Sequence, residues 1–262
     1  MTIKDAFLPY IDKDGLVQPT VGGESGNGLL YTAEYIYALL ANGGMDRIEQ
    51  MRLTAAYNAC QMQEGLMART PIGTAFSTDQ EGPDDYYGCG AASSELDGSL
   101  ARHILAYGRK GASGFNPSYE DSDRVKLSTW LFRILSLFGL LKVKWVYNND
   151  NPGFFTQSSW LGRQQNLICH LQFAADEEPP MWRKVWWAVA VLGSLFSTNN
   201  DSYCLSWLCV RTAQGKSKFC TLVGKVWWHF VLKKFPGGMG EILGDYFQNP
   251  SHPLAVYTGI GK

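Results

Sequence analysis

A chain of 262 residues with 45% hydrophobic and 18% charged side chains has globular composition and enough length to bury a core without disulfide or metal staples. Its formal net charge of −1 supplies no field for a phosphate backbone, so nucleic-acid binding is not expected. The 9 Trp, 13 Tyr and 13 Phe exceed what a core alone uses, which puts some of these rings on the surface or in a cleft.

The opening Met1-Thr-Ile-Lys-Asp5 lacks the apolar stretch of an export signal, so a cytoplasmic or virion-associated protein is expected. Val185 to Phe196, the most apolar run, is short of the roughly 20 residues a bilayer span needs, and no membrane partner is expected. Cys60, Cys89, Cys169, Cys204, Cys209 and Cys220 show no Cys-x-x-Cys spacing, and the four His are scattered. Reduced, buried thiols are expected, with no structural zinc and no cofactor.

In chain order, Asp12-Lys-Asp-Gly-Leu-Val-Gln-Pro19 reads as a turn that begins like a calcium loop but lacks the closing Glu. The Gly-rich run from Gly22 lacks the Gly-Lys-Ser/Thr ending of a phosphate cradle. A helix capped near Asn27 follows, with Leu30, Ala33, Tyr37 and Leu40 at helical spacing, ending at Gly43-Gly44. A second helix is expected over Met45 to Gln61, with Ile48, Met51, Ala55 and Ala59 on one face. Residues 62 to 93 read as a long, acidic connection, and Ser94-Glu-Leu-Asp97 as a capping box opening a helix to about Gly108.

After a polar loop from Arg109 to Asp123, an apolar helix is expected over Val125 to Leu141, then a break over 142–158. A helix from Ser158 or Ser159 reaches about Ala175, and Pro179-Pro180 starts another on which Trp182, Val185, Trp186, Val189 and Leu192 follow the 3.6 period. Tyr203 to Thr212, Ser217 to Lys234 and Glu241 to Phe247 complete the set. No period-2 run argues for a sheet and no linker divides the chain. The expected fold is therefore a single all-α domain over 1–262, with helix hairpins in a bundle or incomplete (α/α) toroid and long loops on one face.

Chemistry is sought first in Asp79-Gln-Glu-Gly-Pro-Asp-Asp-Tyr-Tyr-Gly88. Crowded carboxylates cannot all ionise cheaply, so one holds its proton and an acid/base pair results. Asp84 and Asp85 are the candidate acid and base, and the rings of Tyr86, Tyr87 and Trp160 suit sugar faces. The bland account makes Asp84 or Asp85 a helix cap. A further polar set, Arg163, Asn166 and His170, shares one helix face that suits an acidic sugar or simply faces water. His103 is a candidate proton carrier, and Glu34 is a spare carboxylate within an apolar helix that needs a partner if buried.

The segment Asn199-Asn-Asp-Ser-Tyr203 resembles the Asn-Asn-His-Ser-Tyr-Trp motif of alginate-type polysaccharide lyases, which are built on an incomplete (α/α) toroid. The resemblance covers about eight residues and implies that Asn200 neutralises a uronate carboxylate and that Tyr203 belongs to the site. Asp201 stands where that family has its His; a carboxylate there repels a uronate and shifts the expectation toward hydrolysis.

Together these features lead to an expected carbohydrate-active enzyme, hydrolase or lyase, that cleaves a polysaccharide with Asp84, Asp85, His103 and Asp201. Tyr86, Tyr87, Trp160, Arg163, Asn200 and Tyr203 would hold the substrate. The alternative is a non-catalytic structural or interaction protein whose exposed rings meet a protein partner; release from a phage particle would account for either without an export signal.

Overall fold

The computed structural model describes residues 2–23, 27–71, 83–110, 160–247 and 251–255. Within them the chain is all-α, with ten α-helices and one small β-hairpin. The helix expected over Val125 to Leu141 and the loops around it lie outside the described residues.

The chain starts with α1 (Ile3–Phe7), closed by a capping box between Thr2 and Asp5. In the turn that follows, the Asp12 carboxylate accepts from the Asp14 and Leu16 amides at 2.9 Å each, and from Gln18 Nε2 at 2.6 Å. Its oxygens thus organise backbone, the use that the calcium-like opening conceals.

Helix α2 (Gly28–Ala41) is apolar apart from Thr32, Glu34 and its tyrosine hydroxyls and is buried from Gly28 to Leu39, as a central helix must be. Its hydroxyls find partners: Thr32 Oγ1 donates to the Gly28 carbonyl at 2.6 Å, and Tyr35 donates to Glu49 at 3.0 Å. Helix α3 (Arg47–Ala59), capped by Asp46, buries Glu49, Leu53, Ala56 and Tyr57. The expected Ile48, Met51, Ala55, Ala59 face is the outer one instead, with Ile48 78% exposed. Glu49, bridging Tyr35, Arg52 and Lys4, needs the inside more than Ile48 does, since a satisfied ion network at the boundary fixes the rotation.

Of the expected connection over 62–93, residues 72–82 lie outside the described residues, and the described parts form regular elements. Strands β1 (Gln61–Gln63) and β2 (Leu66–Met67) pair antiparallel, and Pro83 opens helix α4 (Pro83–Glu95) from its first position, where a missing N–H costs nothing. Helix α5 (Ser99–Lys110) starts later than the Ser94 capping box implies. Asp97 accepts from the Ser99 amide and hydroxyl at 2.9 and 2.6 Å, while Ser94 still belongs to α4.

Helices α6 (Trp160–Ala174) and α7 (Met181–Gly193) form a hairpin in which Arg183 donates to Gln165 and Gln172 at 2.9 and 2.6 Å. The inner face of α7 is Lys184, Trp187, Ala188 and Val191, rotated from the expected stripe. That helix is apolar nearly all round, so periodicity alone leaves its rotation open. After a 3-10 turn at Ser194–Phe196 come α8 (Asn200–Ala213), α9 (Lys218–Lys234) and α10 (Met239–Tyr246). Helix α4 packs against α2, α6, α8 and α5, which makes α2 and α4 the centre of the described body. No helix among the described residues is long and apolar enough to cross a membrane.

Candidate functional site

The α2–α4 crossing is set by Gly88. A Cβ there would stand 2.7 Å from the Leu29 carbonyl oxygen and 2.8 Å from Leu30 Cα, so only glycine lets the two backbones approach this closely. One helical turn earlier, Asp85 is buried and its Oδ1 accepts from the Leu30 amide, in the first turn of α2, at 3.2 Å. Asp85 is thus a tertiary N-cap of α2, supplied by a helix far along the chain. The capping account holds for it, although the capped helix is not the next one.

Asp84, its neighbour, is half-buried. Burial raises its carboxyl above the ordinary range and the charge of Asp201 adds to the rise; its own amide, Arg69 and the Asp85 amide oppose it. Asp201 lies in the first turn of α8, solvent-exposed as a residue, with its amide donating to the Asn199 cap at 2.9 Å. Partial desolvation against the neighbouring helices raises its carboxyl also. Two acids from distant stretches of chain therefore stand within electrostatic reach of each other, each at a helix N-terminus.

Glu34 stands midway along α2 with no exposed surface. Neither carboxyl oxygen finds a hydrogen-bond partner among the described residues. Desolvation, with the Asp201 charge second, pushes its pKa up to about 8, so the group is mostly protonated at neutral pH. Cys204, one turn beyond Asp201, feels both carboxyls, and burial keeps its thiol neutral. Asp201 thus acts on two carboxyls, Asp84 at the start of α4 and the enclosed Glu34 of α2. The sequence signal for Glu34 is an acid inside an apolar helix, and its weight appears only once the fold encloses it.

The other candidates are elsewhere. Tyr86 and Tyr87 are fully buried, so no ring face is left for a sugar. Tyr86 accepts from the Met67 amide at 3.0 Å. Tyr87 is held by α6, its hydroxyl accepting from Asn166 Nδ2 at 3.0 Å and its carbonyl 2.8 Å from His170 Nε2. Asn166 and His170 are consequently interior groups rather than a solvent face; burial lowers the His170 pKa to about 4, so it stays neutral. Tyr203 is buried too, donating to the Ser197 carbonyl and accepting from Lys234.

His103 lies on α5 with Nε2 3.2 Å from Glu64 of the hairpin turn, where Gly65 (φ 87°) packs directly on the His103 backbone. Asn200 is half-buried as the first residue of α8, beside Asp201. Trp160 and Arg163 fall on the first turn of α6, and their side chains lie outside the described part, as do Asp79 and Glu81.

No group of three or more His, Cys, Asp or Glu among the described residues is arranged to hold a metal ion. All six cysteines are free and buried. Comparison of the chain with protein-family models, with curated proteins and with solved structures finds no match.

Proposed function

We propose that the chain is a carbohydrate-active enzyme that cleaves a polysaccharide by carboxylate acid/base chemistry, with Asp84 and Asp201 as the working pair. The observation that carries this reading is the packing of α4 on α8, with Asp84 and Asp201 in their first turns and the Asp201 charge acting on Asp84 and on the buried Glu34. A buried acid with a raised pKa keeps a proton to donate, while a solvent-exposed neighbour is free to accept one.

In this reading Asp84, the more enclosed of the pair, protonates the glycosidic oxygen. Asp201, open to solvent, serves as base toward water or toward the sugar. Glu34 is a positioning group: uncharged, it spares the pair a third negative charge in the interior. Asn200 meets an acidic sugar, and the incomplete toroid would supply the cleft. Asp in the place of the family's His favours hydrolysis over elimination.

The test uses wild type, Asp84→Asn and Asp201→Asn on a panel of neutral and uronate polysaccharides, reading new reducing ends and, separately, unsaturated product. Loss of an acid or base is expected to lower the rate by about 10²–10⁴-fold. No cleavage by wild type on any polymer, or equal cleavage by all three proteins, overturns the proposal.

A further inference from the structure

Helices α7 and α9 leave apolar side chains in solvent that no described element covers. Trp182, Val185 and Val189 on α7 are exposed at near-helical spacing, and Phe196, just beyond, is 91% exposed. On α9, Leu222, Val226 and Phe230 repeat at intervals of four and are exposed as well. The two helices pack on each other, and Trp227 Nε1 of α9 donates to Ser194 Oγ at the end of α7 at 2.8 Å. Their outward stripes therefore lie on neighbouring elements.

Charge is segregated in the same region. Between residues 202 and 240 the chain carries Arg211, Lys216, Lys218, Lys225, Lys233 and Lys234 and no acid. Lys216 pairs with Asp176 and Lys234 bonds Tyr203, which leaves Lys218, Lys225 and Lys233 to the exposed side of α9. Lys233 Nζ lies 5.6 Å from the Phe230 ring centroid. Exposed rings and aliphatics with a basic surround are the anatomy of a binding face rather than of inert surface.

We infer that the α7–α9 face docks an acidic protein segment carrying an apolar ridge. Its apolar side chains would lie along Val189 and Phe230, and its carboxylates would meet Lys225 and Lys233. A lipid surface is the poorer fit, because a helix lying in a membrane interface separates an apolar side from a charged side. On α9 Leu222, Lys225, Val226 and Lys233 share one outward face instead. A protein segment with alternating apolar and acidic positions matches that interleaving. The inference does not depend on catalysis.

The probe is a synthetic helical peptide with Leu at four-residue spacing flanked by Glu, titrated against the full chain by fluorescence anisotropy. Its Gln-for-Glu counterpart, poly-Glu and phosphatidylserine–phosphatidylcholine vesicles are run in parallel. Binding of the acidic peptide is expected, falling as salt rises and weakening about tenfold or more in Lys225→Glu/Lys233→Glu and in Val189→Ser/Phe230→Ser. All four positions are exposed, and an unchanged circular dichroism spectrum verifies the fold of each variant. The inference fails if the acidic peptide does not bind, if the Gln counterpart or poly-Glu binds equally well, or if vesicles alone bind and lose binding in the same variants.

Discussion

Replacing Glu34 with Gln removes the one buried carboxyl that finds no hydrogen-bond partner among the described residues while keeping its shape. In the folded chain this group titrates near 8, against 4.5 ordinarily. The folded state therefore keeps a proton that the unfolded state releases, so the stability linked to Glu34 is complete below about pH 4.5 and is lost as pH rises toward 8. At 1.36 kcal/mol per unit, wild type should lose roughly 3–4 kcal/mol from this group between pH 5 and pH 8, on top of every other titration. The variant has no such loss, and whatever its buried amide costs is the same at each pH. Urea unfolding followed by tryptophan fluorescence at pH 5, 6, 7 and 8 gives the difference between the two proteins directly. A stability difference that grows in favour of Glu34→Gln by about 1 kcal/mol per pH unit supports the reasoning. A difference that is flat over this range refutes it.

Removing the cap in Asp85→Ala leaves the Leu30 amide buried without this acceptor and should cost about 1–3 kcal/mol in urea unfolding, with Asp85→Asn recovering much of the loss. Gly88→Ala forces α2 and α4 apart against backbone atoms and should cost about 1–3 kcal/mol or prevent folding, seen as a lower urea midpoint or insoluble protein. A thiol reagent such as Ellman's should label none of the six cysteines quickly in the native protein and all six in urea, since burial holds the Cys60, Cys169, Cys204, Cys209 and Cys220 thiols well above their ordinary pKa.

Much of the helical layout was legible because its punctuation is local. The spacing from Leu30 to Leu40 and the glycines at 43 and 44 delimit α2, Pro179-Pro180 precedes α7, and Ser217 precedes α9. Rotation about the helix axis was less legible. Helices α3 and α7 carry apolar residues on more than one side, so the inner face was decided by Glu49 in its ion network and by Trp187 in the core. Residues 83–93 read as loop from their glycine and acids, whereas they are helical, because the Gly88 approach to α2 makes a glycine valuable inside a helix.

The site was legible in part. Asp84 and Asp201 were visible as acids in suggestive company, but their neighbours Tyr86, Tyr87 and Tyr203 look alike as sequence whether they face a sugar or the core. Burial is a tertiary property, and for these rings it decided in favour of packing. The same property raised Glu34 from a spare carboxylate to the centre of the arrangement.

The most direct measurement is a carbon-13 NMR titration of glutamate side-chain carboxyls in wild type, Glu34→Gln and Asp201→Asn. One resonance, missing from Glu34→Gln, should titrate near pH 8 in wild type and move to lower pH when the Asp201 charge is removed. If every glutamate titrates in the ordinary range near pH 4.5, or if the Asp201 substitution leaves the high value untouched, the coupling of Glu34 to Asp201 does not exist and the catalytic proposal loses its basis.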